Sequence, residues 1–365
     1  MEMEAPSGSE RRWSRVASSL PVRNVQALAA CAEELTAETL ERYIRLDIDN
    51  DEVLPDQSSE VPVIDLGRLF NSNSVEDEAA RLRFACEEWG FFQLVNHGIP
   101  EDTIANIRRD IQEFFQLPLE VKNNYAQLPG ELQGYGQSFV VSESQKLDWA
   151  DMFVTLAQPP QARDMRYWPT QPPTFRKSIE EYSSELMKVA QSIVTFIAKT
   201  LNIDPELVGD KCVSQFLRMN YYPPCTSMPE KVLGFSPHSD GSFLTLLLQV
   251  NSVEGLQLRR QNAWIPVKPH PKALLVNVGD FLETIMSNGK YKSIEHRVTI
   301  NANQERLSVS AFHVPSLDGI VSPVMCNKED KILYKTMGVE EYAKLYMSNK
   351  LDGKRALDHA KLSQI

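Results

Sequence analysis

The second half of the chain is divided into short runs of alternating or continuous apolar residues by clusters of proline, glycine and asparagine. Short strands separated by such turn-forming residues are typical of antiparallel sandwiches and barrels. We therefore predict a mainly β chain with flanking α-helices and a double-stranded β-helix, or jelly-roll, as its core. The runs that we predict as strands are 214–222, 243–249, 256–258, 264–267, 273–278, 294–300 and 306–314.

The first half mixes helical patterns with a few strands. Apolar runs at 61–66 and 91–95 predict two buried strands, and we expect Gly90 to end the helix between them. Apolar residues recur at helical spacing in 175–201, and a last helix is expected at 339–347. The predicted organisation is an N-terminal tail with helices (1–60), an N-terminal α/β region (61–165), a long packing helix with its connector (166–212), the jelly-roll catalytic core (213–320), and a C-terminal helix with a tail (321–365).

The composition limits the possible partners. A net charge of −11 would repel phosphate backbones over most of the surface. No apolar run reaches the length of a membrane span, and the N-terminal residues lack the apolar segment of a secretory signal. We expect a cytoplasmic monomer that acts on a small molecule, with no nucleic acid or membrane partner. Five cysteines without a Cys-x-x-Cys pair argue against a disulfide framework or a cysteine zinc site: Cys31, Cys86, Cys212, Cys225 and Cys326.

Two side chains that can bind a metal stand two residues apart, at the entrance to the apolar run 243–249. Alternation along a strand would point His238 and Asp240 to one face, where they could share an ion. His296, separated from Asp240 by 55 residues in another predicted strand, can supply a third donor. Two imidazoles and one carboxylate make the facial triad of non-haem iron(II) oxygenases and leave coordination positions open. A His-x-Asp pair alone is more often a pair of surface polar residues, so the interpretation depends on the motifs around it.

The predicted strand 306–314 has a polar face. Alternation places Arg306, Ser308, Ser310 and Phe312 on this face. A guanidinium and two hydroxyls make a poor core, whereas a guanidinium pairs with a carboxylate through two hydrogen bonds that a serine hydroxyl can supplement. The face is therefore either an anion pocket or an exposed strand surface on which the arginine pairs with an acid such as Glu305.

A second predicted strand adds hydrogen-bonding groups. Phe216, Arg218, Asn220 and Tyr222 share one of its faces, and the last two can donate hydrogen bonds. They could equally be ordinary strand and turn residues. The other histidines are interpreted as residues of a turn, a loop, an outward strand position and the tail: His97, His270, His313 and His359.

The combined motifs resemble the signature of the plant 2-oxoglutarate and iron(II)-dependent dioxygenases. The resemblance rests on His238-Ser239-Asp240, His296 and Arg306-Leu307-Ser308, together with the residues 220–225, which read NYYPPC. The segments 62–66 and 89–98 resemble the N-terminal region of the same family, so the similarity spans roughly residues 60 to 350. The stretches 134–136, 147–151 and 288–297 resemble the senescence-related branch, which is similar to the alkaloid O-demethylases and the norcoclaurine-synthase-like proteins.

The resemblance implies a distorted jelly roll that binds iron(II) and 2-oxoglutarate. By the match of motifs, the metal ligands are His238, Asp240 and His296. The distal carboxylate of 2-oxoglutarate would be bound by Arg306, Ser308, Tyr222 and Asn220. Molecular oxygen is the further substrate, and ascorbate is the expected reductant.

The resemblance also implies the type of reaction. The enzyme would hydroxylate or oxidatively demethylate a small, aromatic or alkaloid-like compound of plant specialised metabolism, with release of succinate and carbon dioxide. The residues that we predict to contact the substrate are Phe312, Phe243, Leu244, Phe153 and Val140. Each is of a type that is more often part of a core than of a substrate pocket.

Three alternatives remain from the sequence. One is an oxidase of the same fold that does not use 2-oxoglutarate. Another is a catalytically silent jelly-roll protein that binds a ligand, although such a protein would need neither the triad nor Arg306. The third is a hydrolytic zinc site with the same three ligands.

Overall fold

The computed structural model describes residues 19–31, 35–48, 50–323, 331–348 and 353–362. Part of the predicted N-terminal tail and Cys326 lie outside these residues. Cys31, Cys86, Cys212 and Cys225 are free thiols, so there is no disulfide in the described part of the chain. Among the same residues, no helix combines the length and the apolar character that spanning a bilayer requires.

Fourteen strands are present in the described residues. In chain order they are β1 (Val63–Asp65), β2 (Phe91–Val95), β3 (Gly134–Gly136), β4 (Asp151–Gln158), β5 (Ser214–Tyr222), β6 (Leu233–His238), β7 (Leu244–Gln249), β8 (Leu256–Arg260), β9 (Ala263–Pro266), β10 (Leu274–Val278), β11 (His296–Thr299), β12 (Arg306–Val314), β13 (Ile320–Val321) and β14 (Met337–Gly338). Each of the seven predicted runs overlaps one of these strands, although β8 extends two residues beyond its run and β9 begins one residue before its own.

The larger of the two main sheets has eight strands in the order β1-β2-β10-β7-β12-β5-β4-β3. β1 pairs with β2 in parallel, and the other neighbours in this sheet are antiparallel. The centre of the sheet comes from the predicted jelly-roll core. Both of its flanks come from strands that precede residue 213 in the chain.

The smaller sheet has four antiparallel strands in the order β6-β11-β8-β9, and with the larger sheet it forms the predicted jelly roll. The sequence prediction missed β6. Its apolar residues Leu233 and Phe235 alternate as in an ordinary strand and are buried, but Gly234, Ser236 and Pro237 interrupt the pattern. The pairing of β6 with β11 places His238 opposite His296.

Nine α-helices surround the sheets in the described residues. They are α1 (Val25–Ala30), α2 (Ala37–Leu40), α3 (Leu66–Phe70), α4 (Val75–Phe84), α5 (Glu101–Gln116), α6 (Leu119–Asn123), α7 (Phe175–Thr200), α8 (Val339–Met347) and α9 (Arg355–Ala360). A π-helical turn, Ala85–Trp89, extends α4 up to Gly90, whose φ of +61° ends the helix as predicted. The left-handed region favours glycine because it has no Cβ.

A layer of helices covers the outer face of the larger sheet. The predicted helical spacing is confirmed in α7, whose Ile179, Leu186 and Ile193 are fully buried. Burial of each such side chain stabilises the fold by roughly 1.5–3 kcal/mol. Phe114 of α5 packs its ring 5.0 Å from that of Phe153 in β4. The helices therefore close this face, and the inner face of the sheet is left to form the site.

Candidate metal centre

Three side chains that can bind a metal converge between the two main sheets. His238 is the last residue of β6, His296 is the first residue of β11, and Asp240 lies in the loop after β6. One ligand atom from each residue lies within 4.8 Å of the others. Asp240 Oδ1 is 3.4 Å from His238 Nε2 and 3.5 Å from His296 Nε2. All three residues are buried.

The expected reason for this convergence needs a correction. Alternation within one strand was predicted to point His238 and Asp240 to a common face. In the structure the strand ends at His238 and the following loop turns Asp240 toward it, so strand alternation does not apply to this pair.

Hydrogen bonds determine which nitrogen of each imidazole is available. His238 Nδ1 lies 2.8 Å from the carbonyl oxygen of Ser236, and His296 Nδ1 lies 3.1 Å from that of Ile294. A carbonyl oxygen can only accept, so each Nδ1 carries the proton and donates it. In the neutral imidazole the free lone pair is then on Nε2, and Nε2 of His238 is buried with no hydrogen-bond partner.

The charges in the site favour metal binding. Burial would raise the pKa of the Asp240 carboxyl, but His296 and His238 together with Asn277 hold it well below its ordinary value. Burial and the neighbouring His238 lower the pKa of His296 to about 4, so this imidazole is neutral at pH 7. Asn277 in β10 donates from Nδ2 to Asp240 Oδ2 at 2.7 Å. Asn277 was not among the predicted site residues, although an asparagine within the apolar run of β10 is the kind of signal that marks a buried polar role.

The loop that carries Asp240 is held from the C-terminal side of the chain. Tyr346 in α8 donates its hydroxyl proton to the carbonyl oxygen of Ser239 at 2.9 Å. The N–H of Gly353 donates to the carbonyl oxygen of Pro237 at 3.0 Å. The N–H of Asp280 donates to the carbonyl oxygen of Asp240 at 2.8 Å. Three separate parts of the chain therefore determine the position of this loop.

A buried cation lies in the same cavity as the three ligands. Arg306 in β12 is 2% exposed and donates from Nη2 to Gln249 Oε1, while its Nε and Nη1 have no hydrogen-bond partner. A buried guanidinium with unpaired donors is unfavourable unless an anion completes its contacts. Arg306 is therefore not an exposed strand residue that pairs with Glu305. Its side chain is buried, and Glu305 instead accepts a hydrogen bond from Tyr221.

The residues predicted to assist Arg306 lie close to it at different depths. The ring centroid of Tyr222 is 5.2 Å from the guanidinium carbon of Arg306, and both residues line the metal cavity. Asn220 donates to the hydroxyl of Ser308 at 3.3 Å. Neither Asn220 nor Ser308 lines the metal cavity, so both lie behind the residues that form its wall.

An apolar cavity adjoins the metal cavity. Its volume is about 100 Å³, against about 20 Å³ around the metal ligands. Phe312 and Arg218 line both cavities and so form the boundary between them. The remaining wall includes Phe139 and Phe216, and much of it is apolar.

Of the five predicted substrate contacts, the structure brings Phe312 to the cavities and places the other four elsewhere. Phe153 and Val140 face away from the cavities, while their neighbours Val154 and Phe139 line the apolar one. Phe243 and Leu244 are fully buried core residues, while Thr245 lines the metal cavity. In β4 and β7 a shift of one residue moves a side chain to the opposite face of the strand, which explains the misplacement of Phe153 and Leu244.

The predicted position of one of the other histidines is wrong. His313 was predicted at an outward strand position, but it is fully buried. Its Nδ1 donates to the carbonyl oxygen of Leu244 at 3.3 Å, and its Nε2 accepts from Gln215 at 3.0 Å. Helices cover the outer face of β12, so a side chain on that face is buried and not exposed to solvent. His97 lies in the predicted turn, where it accepts a hydrogen bond from the N–H of Ile99.

The donor set fits a divalent metal such as iron(II). Two imidazole nitrogens and one ionised carboxylate form a 2-His-1-carboxylate set, and each Nδ1 proton is held by a backbone carbonyl. The buried Arg306 offers an anion site within the same cavity. The arrangement can hold a metal and a dicarboxylate together, beside an apolar chamber.

Comparisons with known proteins agree with this chemistry. The family model described as "non-haem dioxygenase in morphine synthesis N-terminal" matches residues 61–175, and that of the 2OG-Fe(II) oxygenase superfamily matches residues 213–315. S-norcoclaurine synthase 1 of Coptis japonica is 47% identical over 349 residues, which cover 95% of this chain and 98% of that protein. Oxoglutarate-dependent flavonoid 7-O-demethylase 1 of Ocimum basilicum is 42% identical and covers 98% and 96%. The crystal structure of JOX2 in complex with 2OG, Fe and JA has a TM-score of 0.84 at 34% identity, with coverage of 94% and 98%.

Proposed function

The chain belongs to the plant 2-oxoglutarate and iron(II)-dependent dioxygenases, and from this membership we propose that it hydroxylates or oxidatively demethylates a small aromatic or alkaloid-like metabolite. It is an oxidoreductase that uses iron(II), 2-oxoglutarate and molecular oxygen. Ascorbate is the reductant customarily supplied to such enzymes.

In the proposed site, iron(II) is held by His238, Asp240 and His296. The proposal is supported by the distance of at most 4.8 Å between their ligand atoms and by the unpartnered Nε2 of His238. Three protein ligands leave further coordination positions for the co-substrate and for dioxygen. Bound iron(II) supplies the activation of dioxygen, which is coupled to oxidative decarboxylation of 2-oxoglutarate to succinate and carbon dioxide.

Arg306 binds the distal carboxylate of 2-oxoglutarate in this proposal. Its Nε and Nη1 have no partner and can still donate to a carboxylate, and a dry cavity strengthens such a pair. Tyr222 lies against the guanidinium, and Ser308 and Asn220 support the strand positions behind it. The side chain of Arg306 thereby determines where the keto acid end of the co-substrate lies.

The apolar chamber that adjoins the metal cavity is the observation that carries the choice of substrate class. Phe312 forms part of both walls, so an apolar ring in the chamber would lie beside the metal site. Positioning of one C–H bond next to the oxidant selects the bond that is attacked. The relatives include a norcoclaurine synthase and a flavonoid demethylase by name, which supports an aromatic plant metabolite.

The test is a coupled assay of the protein with iron(II), 2-oxoglutarate, ascorbate and a panel of flavonoids, alkaloids and simple phenolics. We expect one class to stimulate succinate formation in proportion to product, with formaldehyde released if a methyl group is removed. Product without succinate would favour the same-fold oxidase. No consumption of 2-oxoglutarate with any compound would favour a silent binding protein, and turnover by zinc-loaded protein would favour the hydrolytic site.

The matched variant for this assay is Asp240→Ala. Loss of the carboxylate should abolish stoichiometric iron(II) binding and succinate formation, because two imidazoles alone bind the ion weakly. Circular dichroism would establish that the variant remains folded. Retained turnover by the folded variant would contradict the assignment of Asp240.

A further inference from the structure

The wall between the two cavities contains a second arginine whose charge is not balanced. Arg218 lies in β5, two residues before Asn220, and lines both the metal cavity and the apolar chamber. Its Nε is buried without a hydrogen-bond partner. Its guanidinium forms no ion pair with any residue in the part of the chain that the structure describes.

Two aromatic rings hold this guanidinium in place. Its central carbon is 4.3 Å from the ring centroid of Phe235 and 4.9 Å from that of Phe312. Contacts with ring faces stabilise the cation but satisfy none of its N–H donors, which point outward in the plane of the group. The donors of Arg218 are therefore free to bind a ligand at the boundary of the two cavities.

A count of charges shows what kind of ligand would fit. Among the described lining residues of both cavities, Asp240 is the one carboxylate, and the fixed cations are Arg218 and Arg306. Iron(II), Asp240, Arg306 and doubly charged 2-oxoglutarate together sum to zero. The charge of Arg218 is left over, on a side chain that is half-buried and whose Nε is buried without a hydrogen-bond partner.

We propose that Arg218 binds an anionic group of the prime substrate, so that the enzyme selects aromatic compounds with a carboxylate or an ionised phenol. The inference rests on the proposed function, because it assumes that the chamber holds the substrate and that Arg306 holds 2-oxoglutarate. The anion sits at the inner end of the chamber, and the apolar body of the substrate lies among residues such as Phe139, Phe216 and Phe281. This pairing makes Arg218 a specificity-determining residue.

The simpler interpretation is that Arg218 only fills the space between two rings. Arg260 provides the comparison, because its guanidinium lies 4.3 Å from the ring centroid of Trp89 and lines neither cavity. Arg260→Gln removes the same kind of contact without changing the site. If Arg218→Gln and Arg260→Gln lower the free energy of unfolding by similar amounts, that loss measures the packing of a guanidinium against aromatic rings.

The test compares an acid with its uncharged analogue. The probes are 3-phenylpropanoate and 3-phenylpropanamide, titrated by calorimetry into the anaerobic iron(II) protein in saturating 2-oxoglutarate, so that Arg306 is occupied. The wild type should bind the acid about 10- to 100-fold more tightly than the amide, as expected for a charge-assisted hydrogen bond. Arg218→Gln should lose this preference, Arg218→Lys should retain part of it, and Arg260→Gln should keep it all.

The inference is overturned if the wild type does not prefer the acid, binds neither probe, or if Arg218→Gln keeps the preference. Its failure can be distinguished from failure of the proposed function by the binding of 2-oxoglutarate, measured in the same titrations before the probe is added. Normal binding of the co-substrate without a preference for the acid contradicts the role of Arg218 alone. Absence of iron-dependent binding of 2-oxoglutarate contradicts the proposed function itself.

Discussion

Asn277 Nδ2 donates to Oδ2 of Asp240 at 2.7 Å, and this contact leaves Oδ1 facing both histidines. The hydrogen bond fixes the orientation of the carboxylate, since Asp240 lies in a loop and has no strand to direct it. The asparagine comes from β10 in the larger sheet, whereas His238 and His296 lie in the smaller one. The candidate metal centre is therefore positioned by both sheets together.

Replacement of Asn277 by alanine should weaken iron(II) binding by about 10- to 100-fold, the usual effect of losing a partner that orients a metal ligand. An anaerobic titration of iron(II) in the presence of 2-oxoglutarate measures the change. Asn24→Ala is the control, because Asn24 caps α1 and bonds to Tyr135 far from the site. Equal affinity in Asn277→Ala and the wild type would show that the loop alone orients Asp240.

Arg306→Lys keeps the charge but loses the two parallel donors of the guanidinium. We expect the KM for 2-oxoglutarate to rise by about 10- to 100-fold with a smaller change in kcat, because the co-substrate contact is lost in the ground state and in the transition state alike. Arg163→Lys serves as control, because Arg163 bonds to Ala157 and Glu180 outside the cavities. An unchanged KM in Arg306→Lys would place the anion site at another residue.

Much of the candidate site could be predicted from sequence, because the His-x-Asp pair, His296 and Arg306 with Ser308 occur together among predicted strands. The motif at 306–312 was interpretable since strand alternation alone puts Arg306 and Phe312 on one face, and both line the cavity. The structure brings Asp240 close to His238 and His296, but a loop does this and not the strand alternation that was expected. The substrate wall was not predictable in detail, because the register at Phe153 and Val140 depends on which face of each segment the helices cover.

His313 gives the protein a specific sensitivity to acid. Burial lowers its pKa to about 4, while an unfolded histidine titrates near its ordinary value of 6.5. Between these two values the unfolded chain takes up a proton that the folded chain does not, so stability is lost as the pH falls from about 6.5 to 4 and is unaffected above that window. The loss attributable to this group is about 3 kcal/mol at most.

Denaturant unfolding of wild type and His313→Gln at several pH values measures this effect. The stability of the wild type relative to the variant should fall between pH 7 and 4, because the variant lacks this one group, while the remaining histidines contribute equally to both proteins. The measurement is made on metal-free protein so that iron binding does not contribute. A constant difference over this range would contradict the assignment of His313 as a neutral buried residue.

Gly90 and Gly98 both have positive φ, yet their surroundings differ. A Cβ at Gly90 would collide with the carbonyl oxygen of Lys292 and the side chain of Ile294, whereas a Cβ at Gly98 would meet nothing within 4 Å. Gly98→Ala should therefore cost about 1 kcal/mol for the left-handed backbone alone. Gly90→Ala should cost at least about 2 kcal/mol more, as in other cases of overpacking. Thermal or denaturant unfolding compares the two, and equal costs would mean that the neighbours of Gly90 can move aside.

The fold class followed from the spacing of apolar runs, and β5 and β12 begin and end at the predicted residues. The pairing of strands could not be predicted in the same way, because it joins residues far apart in the chain. β2 lies beside β10, and β4 lies beside β5, although helices and loops separate the partners in sequence. Local patterns contain no information about such distant partners.

This pairing limits how far the chain can be shortened. A fragment that began at residue 213 would keep β10, β7, β12 and β5 as a sheet, but β10 would have lost β2 and β5 would have lost β4. Two long apolar edges with unpaired N–H and C=O groups would then face water, and such edges join readily to other chains. The fragment from residue 213 onward would therefore aggregate when expressed alone. Fusions or truncations must retain the residues from β1 onward to give a monodisperse protein.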